Sequence, residues 1–136
     1  MSKERRCKDR VREEWKSRRE ALEAIMDSED KGEEHKDYGP FNEYGLCFDY
    51  VPTGTWKDDP EAYWRYQMSW GGPSDEIRFY SSDGKTCYKI EYWFLDWFDG
   101  AHLDIKREKI AQRVWDWLVG AGSVEYAKEK ELHNEH

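Results

Sequence analysis

The sequence predicts an α+β fold in which a four-stranded antiparallel meander has one face covered by an N-terminal helix and by one or two C-terminal helices. Three observations support it: helical apolar periodicity near both ends of the chain, period-two alternation in its middle, and short turn-rich connections. With 136 residues, the chain is long enough for one hydrophobic core. We divide it into a basic N-terminal helix (1–28), an acidic linker (29–39), an α+β domain (40–132) and a frayed tail (133–136).

The first predicted element is a helix over residues 3–27. Its apolar residues recur at steps of three, four and seven and form a single stripe. The members of the stripe are Cys7, Val11, Trp15, Leu22 and Met26. Because the stripe is thin at its basic end, we expect this end either to project from the body or to pair with a second copy in a homodimer. The acidic segment that follows contains Gly32 and has no periodicity, which predicts a linker.

Four alternating segments predict the sheet, at residues 44–51, 62–70, 76–81 and 86–94. Glycine-rich turn signals join the later segments, and short connections of this kind belong to antiparallel strands. The alternation assigns one face of the sheet to the core. The residues of that face are Leu46, Phe48, Trp64, Tyr66, Met68, Ile77, Phe79, Ile90 and Tyr92.

The chain beyond the fourth strand predicts a turn and then helices. The alternation fails after Phe94, because the apolar residues Phe94, Leu95, Trp97 and Phe98 lie at spacings of one, two and one, which no strand with one wet face shows. We therefore expect a tight, helical turn there, beneath the next helix. Asp104 is the expected N-cap of a helix over residues 105–119, and Ser123 that of a last helix ending at Leu132.

Composition excludes several classes of protein. Eight Trp and nine Tyr exclude a disordered chain. No apolar run approaches the roughly 20 residues that span a bilayer, and the charged N-terminus has no signal-peptide core. We therefore expect a cytoplasmic protein without a membrane partner. Three scattered cysteines predict reduced thiols, and the four His show no metal-binding spacing, so we expect no metal and no cofactor.

The net charge of −8 is unevenly distributed. Residues 1–21 carry nine Lys/Arg and five Asp/Glu, whereas residues 22–104 carry seven Lys/Arg and nineteen Asp/Glu. Because an acidic body is attracted to basic protein surfaces, the first hypothesis is a non-enzymatic binding protein that docks on a basic, nucleic-acid-binding host protein. Its candidate contacts are acidic residues at exposed loop ends: Asp58, Asp59, Glu61, Asp75 and Glu76.

A second hypothesis is direct binding of nucleic acid. The basic N-terminal helix offers phosphate contacts, and the wet face of the sheet carries aromatic residues beside cations, an arrangement that stacks bases. The residues of this face are Tyr63, Arg65, Arg78, Tyr80 and Trp93. The acids interleaved along the helix and the acidic body oppose such binding.

A third hypothesis is a small enzyme that uses Asp96 or Asp99 as general acid or base. Both residues lie among aromatic side chains, and a carboxylate against aromatic rings can have a raised pKa. The opposing interpretation is that the two carboxylates cap a turn beside Gly100. The sequence contains neither a P-loop nor a nucleophile elbow.

Three segments, residues 45–51, 66–80 and 90–101, resemble segments of small uncharacterised proteins of bacterial plasmids and phages. The resemblance implies a protein carried by a mobile genetic element. Small acidic proteins of such elements often look like inhibitors of host restriction or CRISPR machinery. The resemblance therefore implies an anti-defence inhibitor, in agreement with the first hypothesis.

Overall fold

An antiparallel meander of five strands forms one layer of the fold, and helices cover one of its faces. The computed structural model describes residues 6–54, 61–96 and 99–133. The strands, in sheet order, are β1 (Cys47–Val51), β2 (Tyr63–Ser69), β3 (Ser74–Ser81), β4 (Cys87–Asp96) and β5 (Asp99–Asp104). The helices are α1 (Cys7–Asp30), α2 (Phe41–Tyr44), α3 (Lys109–Gly120) and α4 (Ser123–His133). The predicted α+β class is confirmed.

The fifth strand corrects the prediction of four. β4 does not end in a helical turn but continues to Asp96, and β5 returns beside it with His102 opposite Trp93. Asp104 therefore ends a strand instead of capping a helix, and α3 begins only at Lys109.

The apolar crowding in residues 93–100 has a different cause from the one predicted. Successive side chains of a strand point to opposite faces. Phe94 lies in the core, and its neighbour Leu95 is half-buried on the other face, so both faces of β4 carry apolar residues here. Trp97 and Phe98 lie outside the described residues.

Three helices cover the sheet side by side. α1 contacts β4 and β5, α4 contacts β1, and α3 contacts both of these helices. At the centre, the fully buried ring of Trp115 lies 5.6 Å from the ring of Trp64 and 5.2 Å from that of Phe79. The indole N–H of Trp115 donates to the Lys85 carbonyl at 3.0 Å. Trp115 therefore joins α3 to the middle of the sheet.

α1 belongs to the core and does not project from it. The whole predicted stripe, from Cys7 to Met26, is buried in the same cluster as Ile77 and Tyr92 of the sheet. At the basic end, the Cys7 backbone N–H donates to the Asp99 carboxylate at 2.7 Å. From Cys7 onward the prediction of a projecting end is therefore wrong, because this part of the stripe is covered by the chain's own sheet. The homodimer stays a prediction. Within the described residues, no helix combines the length and the apolar character needed to cross a membrane.

The segment predicted as an acidic linker is tied to α1. The helix continues to Asp30, and the Glu33 backbone N–H donates back to the Ser28 carbonyl at 2.9 Å. The Glu29 carboxylate accepts a hydrogen bond from the Phe41 backbone N–H at 2.8 Å. The loop therefore stays beside the end of α1 and leads directly into α2.

We expect the stability of the fold to fall at alkaline pH. Burial raises the pKa of the Cys87 thiol to about 12, and it also raises the pKa values of the Tyr66 and Tyr92 phenols. The folded chain keeps these protons, whereas the unfolded chain loses them above roughly pH 8.5–10. Their contribution is present below that range and is lost as the pH rises, by up to about 1.4 kcal/mol per pH unit for each group.

Urea unfolding between about pH 8 and pH 11 measures this effect, and the variant Cys87→Ala is its control, with a shallower dependence expected. A free energy of unfolding that stayed constant across this range in the parent chain would contradict the prediction.

Candidate functional site

A polar cluster on the core side of the sheet is built around Asp75. Its buried carboxylate accepts two hydrogen bonds from the Arg18 guanidinium, at 2.7 and 3.0 Å. The Ser69 hydroxyl and the Tyr92 phenol donate to the same carboxylate at 2.6 and 2.7 Å. Arg18 also donates to the Tyr44 phenol oxygen at 2.9 Å. Because these internal donors occupy the carboxylate, the cluster joins α1 to the sheet and leaves little capacity for a substrate.

Burial removes two of the acidic residues that were predicted as partner contacts. Asp75 and Glu76 are each only 2% exposed, so the prediction that they are solvated loop ends is wrong. The physical reason is that β3 begins at Ser74 and takes both residues into the sheet. Glu76 lies on the face opposite Asp75 and accepts a hydrogen bond from Arg78 at 2.7 Å.

Of the other three predicted acidic contacts, only Glu61 lies within the described residues. Glu61 accepts hydrogen bonds from the Tyr88 phenol at 2.7 Å and from the Lys89 ammonium at 2.8 Å. These bonds lower the pKa of Glu61, whose carboxylate is paired with two side chains of β4. Asp58 and Asp59 lie outside the described residues.

The aromatic residues of the outer sheet face are not free to stack on bases. Tyr63 and Tyr80 are buried, which corrects the prediction that they are exposed. The Arg78 guanidinium lies over two rings, 4.8 Å from the centroid of Tyr63 and 4.0 Å from that of Trp93. The Lys89 ammonium lies 4.1 Å from the Tyr80 centroid. Cations of the chain itself therefore occupy ring faces that a base would need.

The arginines of this face are also occupied. Arg65 donates to both oxygens of the Asp49 carboxylate, at 3.0 and 2.6 Å. Arg78 pairs with Glu76, as described above. A guanidinium held by a carboxylate has less capacity to bind a phosphate. The geometry therefore disfavours this face as a nucleic-acid site.

The outer face also carries a carboxylate–histidine pair that was not predicted from the sequence. The His102 Nε2 atom lies 3.5 Å from the Glu91 carboxylate, and the imidazole stacks on Trp93 with ring centroids 4.4 Å apart. The Trp93 indole N–H donates to the same carboxylate at 3.0 Å. Alternation of Ala101 and Leu103 with His102 was the signal that could have placed this histidine on the outer face.

Asp96 and Asp99 hold the start of α1. Asp96 accepts a hydrogen bond from Arg10 at 3.0 Å, and Asp99 accepts backbone N–H bonds from Cys7 at 2.7 Å and Gly100 at 3.0 Å. The bond from Cys7 lowers the pKa of Asp99, which is the opposite of what a general acid requires. The interpretation that these carboxylates cap the backbone therefore applies to Asp99, and the geometry gives no support to an acid–base pair.

Much of the positive charge of α1 is neutralised by carboxylates from other parts of the fold. Three of its arginines form ion pairs with carboxylates of the strands and of the turn before α3; the pairs are Arg10–Asp96, Arg18–Asp75 and Arg19–Glu108. Among the described residues, Arg12 and Lys16 form no ion pair, and they line a cleft of about 490 Å³ beside β5. Asp104 and Glu108 line the same cleft and reduce its positive potential.

The second half of α1 and the loop after it present negatively charged side chains to the solvent. We call this surface the acidic ridge. Its members are all exposed: Glu20, Glu23, Asp27, Asp30, Glu33, Glu34 and Asp37. Arg113 of α3 contacts Asp27 at 3.1 Å and Asp30 at 2.9 Å, so two of the carboxylates share one guanidinium. The exposed Lys31 and Lys36 are interspersed with the acids, and the excess of negative charge remains large.

The described residues contain no cluster of side chains that is suited to bind a metal ion. Across residues 6–54, 61–96 and 99–133, no group of three or more His, Cys, Asp or Glu side chains is placed to hold a metal ion. Cys7 and Cys87 are buried, and the exposed Cys47 thiol contacts the Gln67 side-chain oxygen at 3.3 Å.

Comparison of this chain with protein-family models, with curated proteins and with solved structures found no match. The resemblance of residues 45–51, 66–80 and 90–101 to proteins of plasmids and phages is neither supported nor contradicted by that result, and it stays a prediction. Geometry, burial and charge are therefore the basis for a function.

Proposed function

We propose that this protein is a non-enzymatic acidic binding protein that docks on the basic, nucleic-acid-binding surface of a host protein. The observation that carries the proposal is the acidic ridge. Folding places carboxylates against three arginines of α1, whereas the carboxylates of the acidic ridge stay exposed and only two of them share Arg113. The surface presented to a partner is therefore more acidic than the helix as a whole.

The spacing of the ridge supports a strong local field. Glu20, Glu23, Asp27 and Asp30 follow each other at three and four residues, so they lie on one face of α1 about 5–6 Å apart. This spacing is shorter than the Debye length of about 8 Å at physiological ionic strength, so their potentials add. Such a field accelerates association with a basic surface and repels the phosphates of nucleic acid.

The proposal also includes the origin of the protein on a mobile genetic element and the kind of host protein that it inhibits. The resemblance to small proteins of plasmids and phages supports a mobile-element origin, and the ridge supports competition with nucleic acid for a basic groove. Together they favour inhibition of a host defence protein that binds DNA or RNA. The occupied rings and arginines of the outer sheet face favour this interpretation over direct nucleic-acid binding.

Removing charge from the ridge is expected to weaken capture of the partner. The test variant combines Glu23→Gln, Glu33→Gln and Glu34→Gln. The matched control combines Glu125→Gln, Glu129→Gln and Glu131→Gln on α4, which changes the net charge equally. We expect the ridge variant to associate roughly tenfold more slowly than the parent and the control, because steering by charge contributes about that much or more to association rates.

The measurement is capture from a bacterial lysate on the immobilised chain, followed by association kinetics with the captured protein. Capture by the parent is expected at about 50 mM salt, and it should be reversed by about 500 mM salt or by added duplex DNA. Equal capture by the ridge variant, or capture indifferent to salt and DNA, would count against the proposal.

A further inference from the structure

The cleft of about 490 Å³ beside β5 lies between α1, β5 and the turn before α3. Its volume is within the range of about 300–1,000 Å³ that small-molecule sites occupy. Its apolar part is the buried Trp15 and the half-buried Leu103, and the rest of its lining is charged. The charged residues of the lining are Arg12, Lys16, Arg19, Asp104 and Glu108.

Arg12 and Lys16 form the cationic wall of the cleft. They lie four residues apart on α1, so their Cβ atoms are about 5–6 Å apart and both side chains can reach one anionic group. Arg10, Arg18 and Arg19 of the same helix are paired with carboxylates. Within the described residues, Arg12 and Lys16 have no such partner, and both are exposed. They are therefore available to bind a phosphate.

The turn before α3 adds positive charge beside the cleft. Lys106 and Arg107 are exposed there, and neither forms an ion pair in the part of the chain that the structure describes. The lining carboxylates on either side of them differ in their capacity. Glu108 accepts the Trp15 indole N–H at 3.0 Å, whereas Asp104 is exposed and uses one oxygen for the Lys106 backbone N–H, also at 3.0 Å. Asp104 therefore keeps an oxygen that can accept a hydroxyl proton of a ligand.

The charges around the cleft favour a compact anion over a nucleic-acid strand. From Glu20 to Asp30, every exposed charged side chain of α1 is acidic. Glu23 follows Arg12 by eleven residues, which is about 16 Å along the helix axis. A chain of phosphates that ran from Arg12 along α1 would therefore meet repelling carboxylates, and those of the opposite wall repel a strand that crosses the cleft.

We propose that this cleft binds a nucleoside phosphate. Arg12 and Lys16 hold the phosphate, Asp104 accepts a hydrogen bond from a ribose hydroxyl, and Leu103 contacts the base. An acidic residue that binds ribose hydroxyls beside a phosphate site is a common arrangement in nucleotide-binding proteins. The inference is independent of the proposed function, because none of the residues that line the cleft belongs to the acidic ridge.

The test follows the indole N–H signal of Trp15 in NMR spectra of the isotope-labelled, full-length protein. This N–H donates to Glu108 in the lining, so a ligand that binds in the cleft shifts its signal. The probes are the four ribonucleoside monophosphates, each added up to about 1 mM, a concentration that detects even weak binding. We expect a saturable shift with at least one of them, and no shift with any of the four would overturn the inference.

Parts of the bound nucleotide separate the two halves of the site. The matching nucleoside without a phosphate and inorganic phosphate alone should each bind at least about tenfold more weakly than the nucleotide, because each lacks one set of contacts. Equal binding of inorganic phosphate would show a simple anion site and would overturn the inference. Tighter binding of a single-stranded oligonucleotide than of any monophosphate would identify a strand as the ligand and would also overturn it.

Paired variants locate the phosphate. Arg12→Gln combined with Lys16→Gln should weaken nucleotide binding by at least about tenfold. Lys31→Gln combined with Lys36→Gln removes the same charge from exposed lysines outside the lining, and should leave binding nearly unchanged. All four side chains are exposed, so both proteins should fold, and thermal unfolding checks this. Equal loss of binding in the two double variants would show unspecific attraction of charge and would contradict the proposed site.

Discussion

Replacing Asp75 with alanine is expected to lower the free energy of unfolding by about 3–5 kcal/mol, the range for removing one partner of a buried ion pair. The substitution leaves the Arg18 guanidinium, the Ser69 hydroxyl and the Tyr92 phenol without their shared acceptor. Because the Arg18 side chain is still 25% exposed, water can solvate part of its charge, and we expect the lower half of that range. Urea unfolding at neutral pH measures the loss.

Two controls identify the mechanism. Glu61→Ala removes a carboxylate from an exposed pair with Lys89 and should cost under about 1 kcal/mol. The double variant Arg18→Met with Asp75→Leu should recover much of the loss, because apolar side chains often replace a buried pair at little cost. An Asp75→Ala protein as stable as Glu61→Ala would show that the cluster does not hold α1 to the sheet.

Replacing Trp115 with alanine is expected to cost about 3–5 kcal/mol, the usual range for deleting a large buried aromatic side chain. Its ring has no solvent exposure and packs against Trp64 and Phe79, so the substitution opens a cavity between α3 and the sheet. It also leaves the Lys85 carbonyl without its donor. Since domains are stable by only about 5–15 kcal/mol, this variant should melt far below the parent.

Trp70→Ala is the matched control for this experiment. Trp70 is 75% exposed at the hairpin between β2 and β3, and its removal should change stability by less than about 0.5 kcal/mol. Thermal unfolding by circular dichroism compares the two variants. A Trp115→Ala protein that melts with Trp70→Ala would place Trp115 outside the core.

Local pattern was enough to predict the layers of the fold. Period-two alternation placed Trp64, Ile77 and Tyr92 on the core face, and all three are buried. Helical periodicity placed Val11 and Leu22 on the buried stripe of α1. These predictions succeeded because burial on one face follows from the geometry of a strand or helix and needs no knowledge of its partner.

Long-range partners explain what was missed. Asp75 sits beside a Gly-Gly-Pro turn and has the local pattern of a solvated charge, but its partner Arg18 lies 57 residues away in the sequence. Tyr63 and Tyr80 were placed on the correct face, but the cations that cover their rings come from neighbouring strands. The sequence shows that acidic residues outnumber basic ones. Which carboxylates remain unpaired and can contact a partner follows only from the ion pairs within the fold.

The charges of α1 oppose the dipole of the helix itself. Aligned peptide groups place roughly half a positive charge at a helix N-terminus and half a negative charge at its C-terminus, so helices favour acids first and bases last. α1 begins among basic residues, with Asp9 as the acid of its own first turn, and its last turn contains no basic residue. Asp99 supplies a carboxylate at the first turn and Arg113 a guanidinium near the last, and both come from elsewhere in the fold. A detached N-terminal fragment would therefore lose two of the charges that stabilise the ends of this helix.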